Sequence, residues 1–219
     1  MARETEIKLK IDDSRAFRKE LARIGARVAP GFERVHEENV IFDTPEGQLG
    51  QRGELLRIRT ETMKRSHGTG RAEKRFLVTF KRPMETRGKI RAGRPVDNGY
   101  KVREELELQI ADATILAKIF AGLGMAGWFR YEKYRTTCRL PSSKKWAKRL
   151  LIEVDETPIG TFVELEGPAK AIDRAARELG YSTNDYILKN YLTLYREECQ
   201  RKGEVPKDML FPKRKARRN

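Results

Sequence analysis

Residues 3–11, RETEIKLKI, alternate without a break: Glu4, Glu6, Lys8 and Lys10 fall on one side of a strand, Thr5, Ile7, Leu9 and Ile11 on the other. The same two-residue period predicts strands over 36–43, over 54–61 with Arg57, Arg59 and Glu61 together, and over 76–81, ending in Lys81. It continues through 102–110, where Glu105, Glu107 and Gln109 oppose Leu106, Leu108 and Ile110, and through 128–140, where Lys133, Arg135 and Arg139 align. Two more strands follow, 149–156 with Glu153 beside Asp155 and 161–167 with Glu164 beside Glu166. Between strands the period lengthens to that of a helix. Phe17, Leu21 and Ile24 follow the candidate caps Asp12, Asp13 and Ser14, Asp112 caps a helix from 113, and a third covers 169–179. Ile187, Tyr191, Leu194 and Tyr195 mark a longer helix from about Asp185 to Gln200. Gly25, Gly124 and Gly180 stop the first three.

The strands present unusually uniform charged faces. Glu4–Glu6, Glu105–Glu107 and Glu164–Glu166 each aim two carboxylates one way and each lead into a helix ending at glycine. Arg57–Arg59 and Lys133–Arg135 do the same with cations. Since the apolar strand faces match the apolar helix faces, the core belongs between sheet and helices, and the charged faces point away from it. They are then either solvated, as on any antiparallel sheet with one wet face, or the lining of a closed polar barrel. A lining this charged is stable only around water, metal and an anion. Carboxylates for a divalent metal beside cations for a polyanion suit metal-assisted phosphate chemistry.

Composition narrows the setting. The 219 residues carry a net +15, which favours a polyanionic partner. Residues 201–219 hold eight Lys or Arg against Glu204 and Asp208, and predict a basic, unstructured tail after a domain spanning 1–200. That tail is the one place for a nucleic-acid contact, because no aromatic residues interleave with basic ones in the manner of a groove. Cys138 and Cys199 lack metal-ligand spacing, and no apolar run is long enough to cross a membrane, so the expectation is a cytoplasmic protein. His36 and His67 read as surface residues, Trp128 and Trp146 as packing or lid residues, and the glycine-containing, basic stretches 62–75 and 82–101 as long loops that would lie over the mouth of such a barrel.

ETEIK at 4–8, FDTP at 42–45, LLRIR at 55–59, TFKRP at 79–83, VREELEL at 102–108, EKYR at 132–135, VDETPIGTFVELEG at 154–167 and the closing STNDYILKNYL form an ordered set. The chain thereby resembles the CYTH domains, or triphosphate tunnel metalloenzymes, which include class IV adenylyl cyclases, thiamine triphosphatases and inorganic triphosphatases. The resemblance implies an α+β fold, an eight-stranded antiparallel β-barrel open as a tunnel with helices outside. It implies metal ligation of Mg2+ or Mn2+ by Glu4, Glu6, Asp155, Glu164 and Glu166, and catalytic roles for Glu4, Glu6 and Lys8 of the Glu-x-Glu-x-Lys signature. Lys8, Arg57, Arg59, Lys81, Lys133, Arg135 and Lys189 are the implied triphosphate-binding cations, with Lys189 on the last helix, while Glu105 and Glu107 line the tunnel in an unassigned role. The expected substrate is a small-molecule triphosphate, hydrolysed to release phosphate by a monomer or homodimer. The alternatives are cyclisation of ATP to cyclic AMP and pyrophosphate, and a non-catalytic module for polyphosphate or phosphorylated RNA.

Overall fold

A computed structural model describes residues 2–63, 72–84, 96–97 and 99–212. Its strands are β1 (Ala2–Ile11), β2 (Arg27–Val28), β3 (Val35–Asp43), β4 (Leu55–Met63), β5 (Glu73–Pro83), β6 (Val96–Asp97), β7 (Tyr100–Ile110), β8 (Ala126–Arg139), β9 (Leu151–Thr157) and β10 (Gly160–Glu166). Its helices are α1 (Ser14–Arg23), the single turn α2 (Gln48–Gln51), α3 (Ala113–Gly122), α4 (Ala169–Glu178) and α5 (Tyr191–Lys202). The eight long strands run β1-β10-β9-β8-β3-β4-β5-β7, and β7 pairs back onto β1. All these pairings are antiparallel, so the sheet closes into a barrel.

Closure sorts the alternating faces. Thr5 apart, the outward side chains of β1 meet α1 and α4: Ile7, Leu9, Ile152, Val163, Leu165 and Ile172 are within one core, joined by Phe17 and Leu21 of α1. Burying each of these large side chains contributes about 1.5–3 kcal/mol, which offsets the cost of a charged interior. Asp13 and Asp112 cap α1 and α3 by accepting backbone N–H bonds at 2.7–3.0 Å. The stop glycines 25, 124 and 180 all adopt the left-handed conformation. α3 differs from its sequence expectation: among the described residues it buries no side chain, and Ile115, Ile119 and Leu123 stand exposed, as do Leu106 and Leu108 of β7.

Three expectations need correction. The last helix starts at Tyr191 and not near 185, because Asn190 caps it and residues 186–190 run extended, with Ile187 exchanging backbone bonds of 2.8 and 3.0 Å with Lys8. This pairing takes over the β1 edge where β7 leaves it. Lys189 therefore precedes the helix. The tail, in turn, does not begin at 201. Met209 is almost fully buried and bonds to β8 through Arg130 and Glu132, on the edge that β9 does not reach, and Phe211 packs on Tyr134. An unpaired strand edge is satisfied by the chain itself. The stretches 64–71, 85–95 and 213–219, and with them His67 and most of the expected mouth loops, lie outside the described residues.

Candidate functional site

The barrel encloses a cavity of about 1130 Å³. Of the residues singled out in the sequence, Glu4, Glu6, Lys8, Arg57, Arg59, Lys81, Glu105, Glu107, Lys133, Arg135, Glu164, Glu166 and Lys189 all line it. The register sets opposite charges face to face across neighbouring strands: Glu4 with Arg103, Lys8 with Glu164, Glu37 with Lys133, Lys81 with Glu105, and Arg135 with Asp155.

These juxtapositions become a lattice of ion pairs. Lys8 holds Glu164 at 3.0 Å and Glu6 at 3.3 Å, and Lys81 holds Glu4 at 2.6 Å and Glu105 at 3.0 Å. Arg59 reaches Glu37 at 3.2 Å and Glu61 at 3.5 Å. Arg135 binds Asp155, Glu153 and Glu164 at once. Arg57 is held differently, donating to Tyr131 Oη at 3.2 Å and Thr79 Oγ1 at 3.0 Å, with Glu107 only at 4.0 Å.

Asp155 is the exception among the expected residues. It is fully buried and does not line the cavity. Its oxygens accept from Lys133 Nζ at 2.9 Å, Arg135 Nε and Nη2 at 2.7 Å, and Tyr191 Oη at 2.7 Å. It braces two tunnel cations from behind. Lys189 lies at the rim, half-exposed and paired with Glu197 at 2.8 Å.

The charge balance shows in the acidities. Burial alone would raise the Glu6 and Glu164 carboxyls, but Lys101 and Lys8 around the first, and Lys8 and Arg135 around the second, hold both well below the usual range. Glu166 goes the other way: burial, then the neighbouring Glu153 and Glu4, push it up to about 8. Burial likewise takes Glu153 to about 7 against the pull of Arg135, with Glu164 and Asp155 adding to the rise. Lys101 is pushed down to about 7 by burial, aided by Lys8 and Arg103 against the attraction of Glu6. One end of the acid row therefore has carboxylates without enough cations.

The CYTH domain profile matches residues 2–191. The chain belongs to the CYTH domain family. A Methanocaldococcus jannaschii protein, MJ0240, named provisionally as an adenylate cyclase, is 27% identical over 201 residues, which is 87% of this chain and 97% of that protein. A conserved hypothetical protein of Pyrococcus furiosus superposes with a TM-score of 0.62 at 25% identity, covering 87% of this chain and 99% of its own. HpAC1 from Hippeastrum, an adenylyl cyclase by provisional name for which a dominant triphosphatase activity is described, superposes at 0.50 with 19% identity, covering 93% and 97%.

CYTH proteins as a family are metal-dependent, and the donor set here can be tested for fit. Among the described residues no three His, Cys, Asp or Glu side chains already stand together as a metal nest, since most tunnel carboxylates lean on cations. Yet Glu4 Oε2 and Glu37 Oε2 are buried without a hydrogen-bond partner, and Glu166 makes no ion pair among the described residues. The two buried oxygens have only a cation nearby, Arg103 at 3.6 Å from Glu4 and Lys133 at 3.4 Å from Glu37. Carboxylate oxygens free of hydrogen bonds are the ligands that Mg2+ and Mn2+ take, so the residues present fit such an ion.

Several lining residues escaped the sequence reading. Lys101 sat inside a presumed loop, and Arg103 beside Glu105 in an acidic strand. Glu37 belongs to a segment with polar residues on both faces, HEEN, where alternation cannot name the inner one. Glu153 was aligned with Asp155 and is the member of that pair that reaches the cavity. Tyr131 is not singled out in the sequence and Tyr191 reads as part of a helix stripe, but their hydroxyls enter the lattice.

Proposed function

We propose that this CYTH protein is a divalent-metal-dependent triphosphatase that holds its substrate's phosphate chain inside the barrel. One observation carries the reading: nine Lys or Arg and ten Asp or Glu of the described strands line the cavity, most of them ion-paired with one another. A bare polyanion would gain little there, because each cation it took would strand a buried carboxylate. A triphosphate arriving with divalent cations satisfies both halves of the lattice.

Glu4, Glu6, Glu164 and Glu166, with Glu153, would hold the metal. When bound, the ion would polarise phosphoryl oxygens and lower the pKa of a water. Arg57 and Arg59 offer planar, bidentate donors to phosphate oxygens, and Lys8, Lys81, Lys133 and Arg135 add charge preorganised for the transition state. Asp155 fixes the directions of Lys133 and Arg135. Water attacking the terminal phosphorus breaks one P–O bond and releases orthophosphate and a diphosphate. The Hippeastrum relative supports the fold at its level of identity, and the reaction rests on the site.

The second reading is attack by a ribose 3′ hydroxyl on the α-phosphorus, yielding cyclic AMP and pyrophosphate. It is favoured by the name of the M. jannaschii relative, which aligns over nearly its whole length. Product analysis with tripolyphosphate, thiamine triphosphate and ATP, each with Mg2+ or Mn2+, separates the two. Orthophosphate is expected, and Glu4→Gln should abolish its metal-dependent release. Wild type that binds these anions without turning any over would mark a non-catalytic polyphosphate module.

A further inference from the structure

The β3–β8 ladder contains one irregularity. Ile41 pairs with Phe129 and Phe42 with Gly127, so Trp128 is left between them without a partner. A bulge of this kind re-aims the extra residue. Phe129 packs inward, stacked on Tyr131, whereas Trp128 stands at the rim of the tunnel, 52% exposed. It lines the same cavity as the charged lattice, together with Gln51, Leu188, Leu192, Thr193 and Arg196. The Arg196 guanidinium lies 5.2 Å from the Trp128 ring centroid. In contrast, the other tryptophan, Trp146, is packed against the main core.

The bulge also sets the distance to the phosphate-binding cations. Ile41, opposite Phe129, is itself opposite Arg57 on β4. The exposed indole thus stands one residue along β8 from the rung that carries the first tunnel arginine. A phosphate chain gripped from Arg57 inward would leave its organic end at this rim.

We propose that Trp128, flanked by Arg196, is a stacking platform for the base of a nucleoside triphosphate. The proposal rests on the triphosphate reading of the tunnel and adds the substrate class. A flat π-face suits any base; the Arg196 guanidinium lies over one face of the indole in a cation–π contact, which leaves the other face of the half-exposed ring for the base. The same guanidinium disfavours the positively charged thiazolium of thiamine triphosphate. Inorganic tripolyphosphate has nothing to stack.

The test compares wild type, Trp128→Ala and Trp128→Phe in metal-containing buffer. Dissociation constants for a non-hydrolysable ATP analogue and for tripolyphosphate are measured by titration calorimetry, and turnover of ATP, thiamine triphosphate and tripolyphosphate is followed by product release. Trp128→Ala should weaken binding of the ATP analogue by about tenfold and leave tripolyphosphate within about twofold, and Trp128→Phe should restore most of the loss. Equal loss for both ligands, no loss for either, or wild-type preference for thiamine triphosphate over ATP would overturn the proposal. Wild type that binds the analogue through Trp128 but turns over no triphosphate would sink the hydrolytic reading and keep this one. Turnover of tripolyphosphate with nucleotide binding indifferent to Trp128 would do the reverse.

Discussion

Replacing Asp155 by asparagine keeps the shape and removes the charge behind two tunnel cations. In the wild type its oxygens serve Lys133, Arg135 and Tyr191 from a position with no solvent exposure. Removing one member of a buried ion pair costs about 3–5 kcal/mol, because the remaining charge is left uncompensated. Here Arg135 retains Glu153 and Glu164, and Lys133 retains Glu37 at 3.4 Å. The asparagine oxygen can also still accept one bond. The expected loss is therefore at the lower end, about 3 kcal/mol. For a chain of this size that lowers Tm by roughly 6–12 °C, read by circular dichroism without metal. The second half of the assay adds Mn2+. A ligand at 100 times its Kd stabilises the native state by about 2.7 kcal/mol. Asp155→Asn should retain that increment, and Glu4→Gln should lose it. If Asp155→Asn instead unfolds within about 0.5 kcal/mol of wild type and loses the Mn2+ increment, Asp155 is a metal ligand and the bracing argument is wrong.

Two further changes probe how the barrel is closed. Met209→Ala empties an almost fully buried position on the β8 edge and should cost about 2–4 kcal/mol in urea unfolding, whereas Val205→Ala, at 78% exposure, should stay within about 0.5 kcal/mol; equal effects would mean residues 204–212 do not pack there in solution. Gly167 has φ +150° and a Cβ built on it would lie 2.7 Å from the Arg149 carbonyl oxygen. Gly167→Ala should therefore cost about 1–3 kcal/mol, and a urea midpoint equal to wild type would refute the close approach.

Much of the fold was legible because alternation and capping are local. The strand pattern identified all eight barrel strands within a few residues, and Asp13 and Asp112 cap as their positions suggest. Local signals failed where a distant partner decides the conformation. Residues 186–190 look helical by spacing but run extended because Ile187 completes the β1 edge. Met209, Leu210 and Phe211 were the apolar clue within a basic tail, and β8 is what makes Met209 order it. α3 carries an apolar pattern whose exposed stripe no described element covers.

The candidate site divides in the same way. Every site residue named by the resemblance except Asp155 lines the cavity. On the strands a period of two puts alternate residues on one side, although Lys10, Gln109 and Arg139, further along the same faces, are exposed. Whether that face looked onto water or into a closed lumen was undecided by the sequence residues themselves. Pairing of β7 with β1 settles it, and that contact joins segments about a hundred residues apart. Register then decides the partners: Lys8 meets Glu164, Glu37 meets Lys133, and Asp155 sits behind Arg135, out of the cavity. The sequence by itself determined which residues share a face, because side-chain direction along a strand is a property of neighbouring peptides. Only the tertiary structure decided which face is enclosed and which charges touch, because curvature, closure and register are properties of the whole sheet.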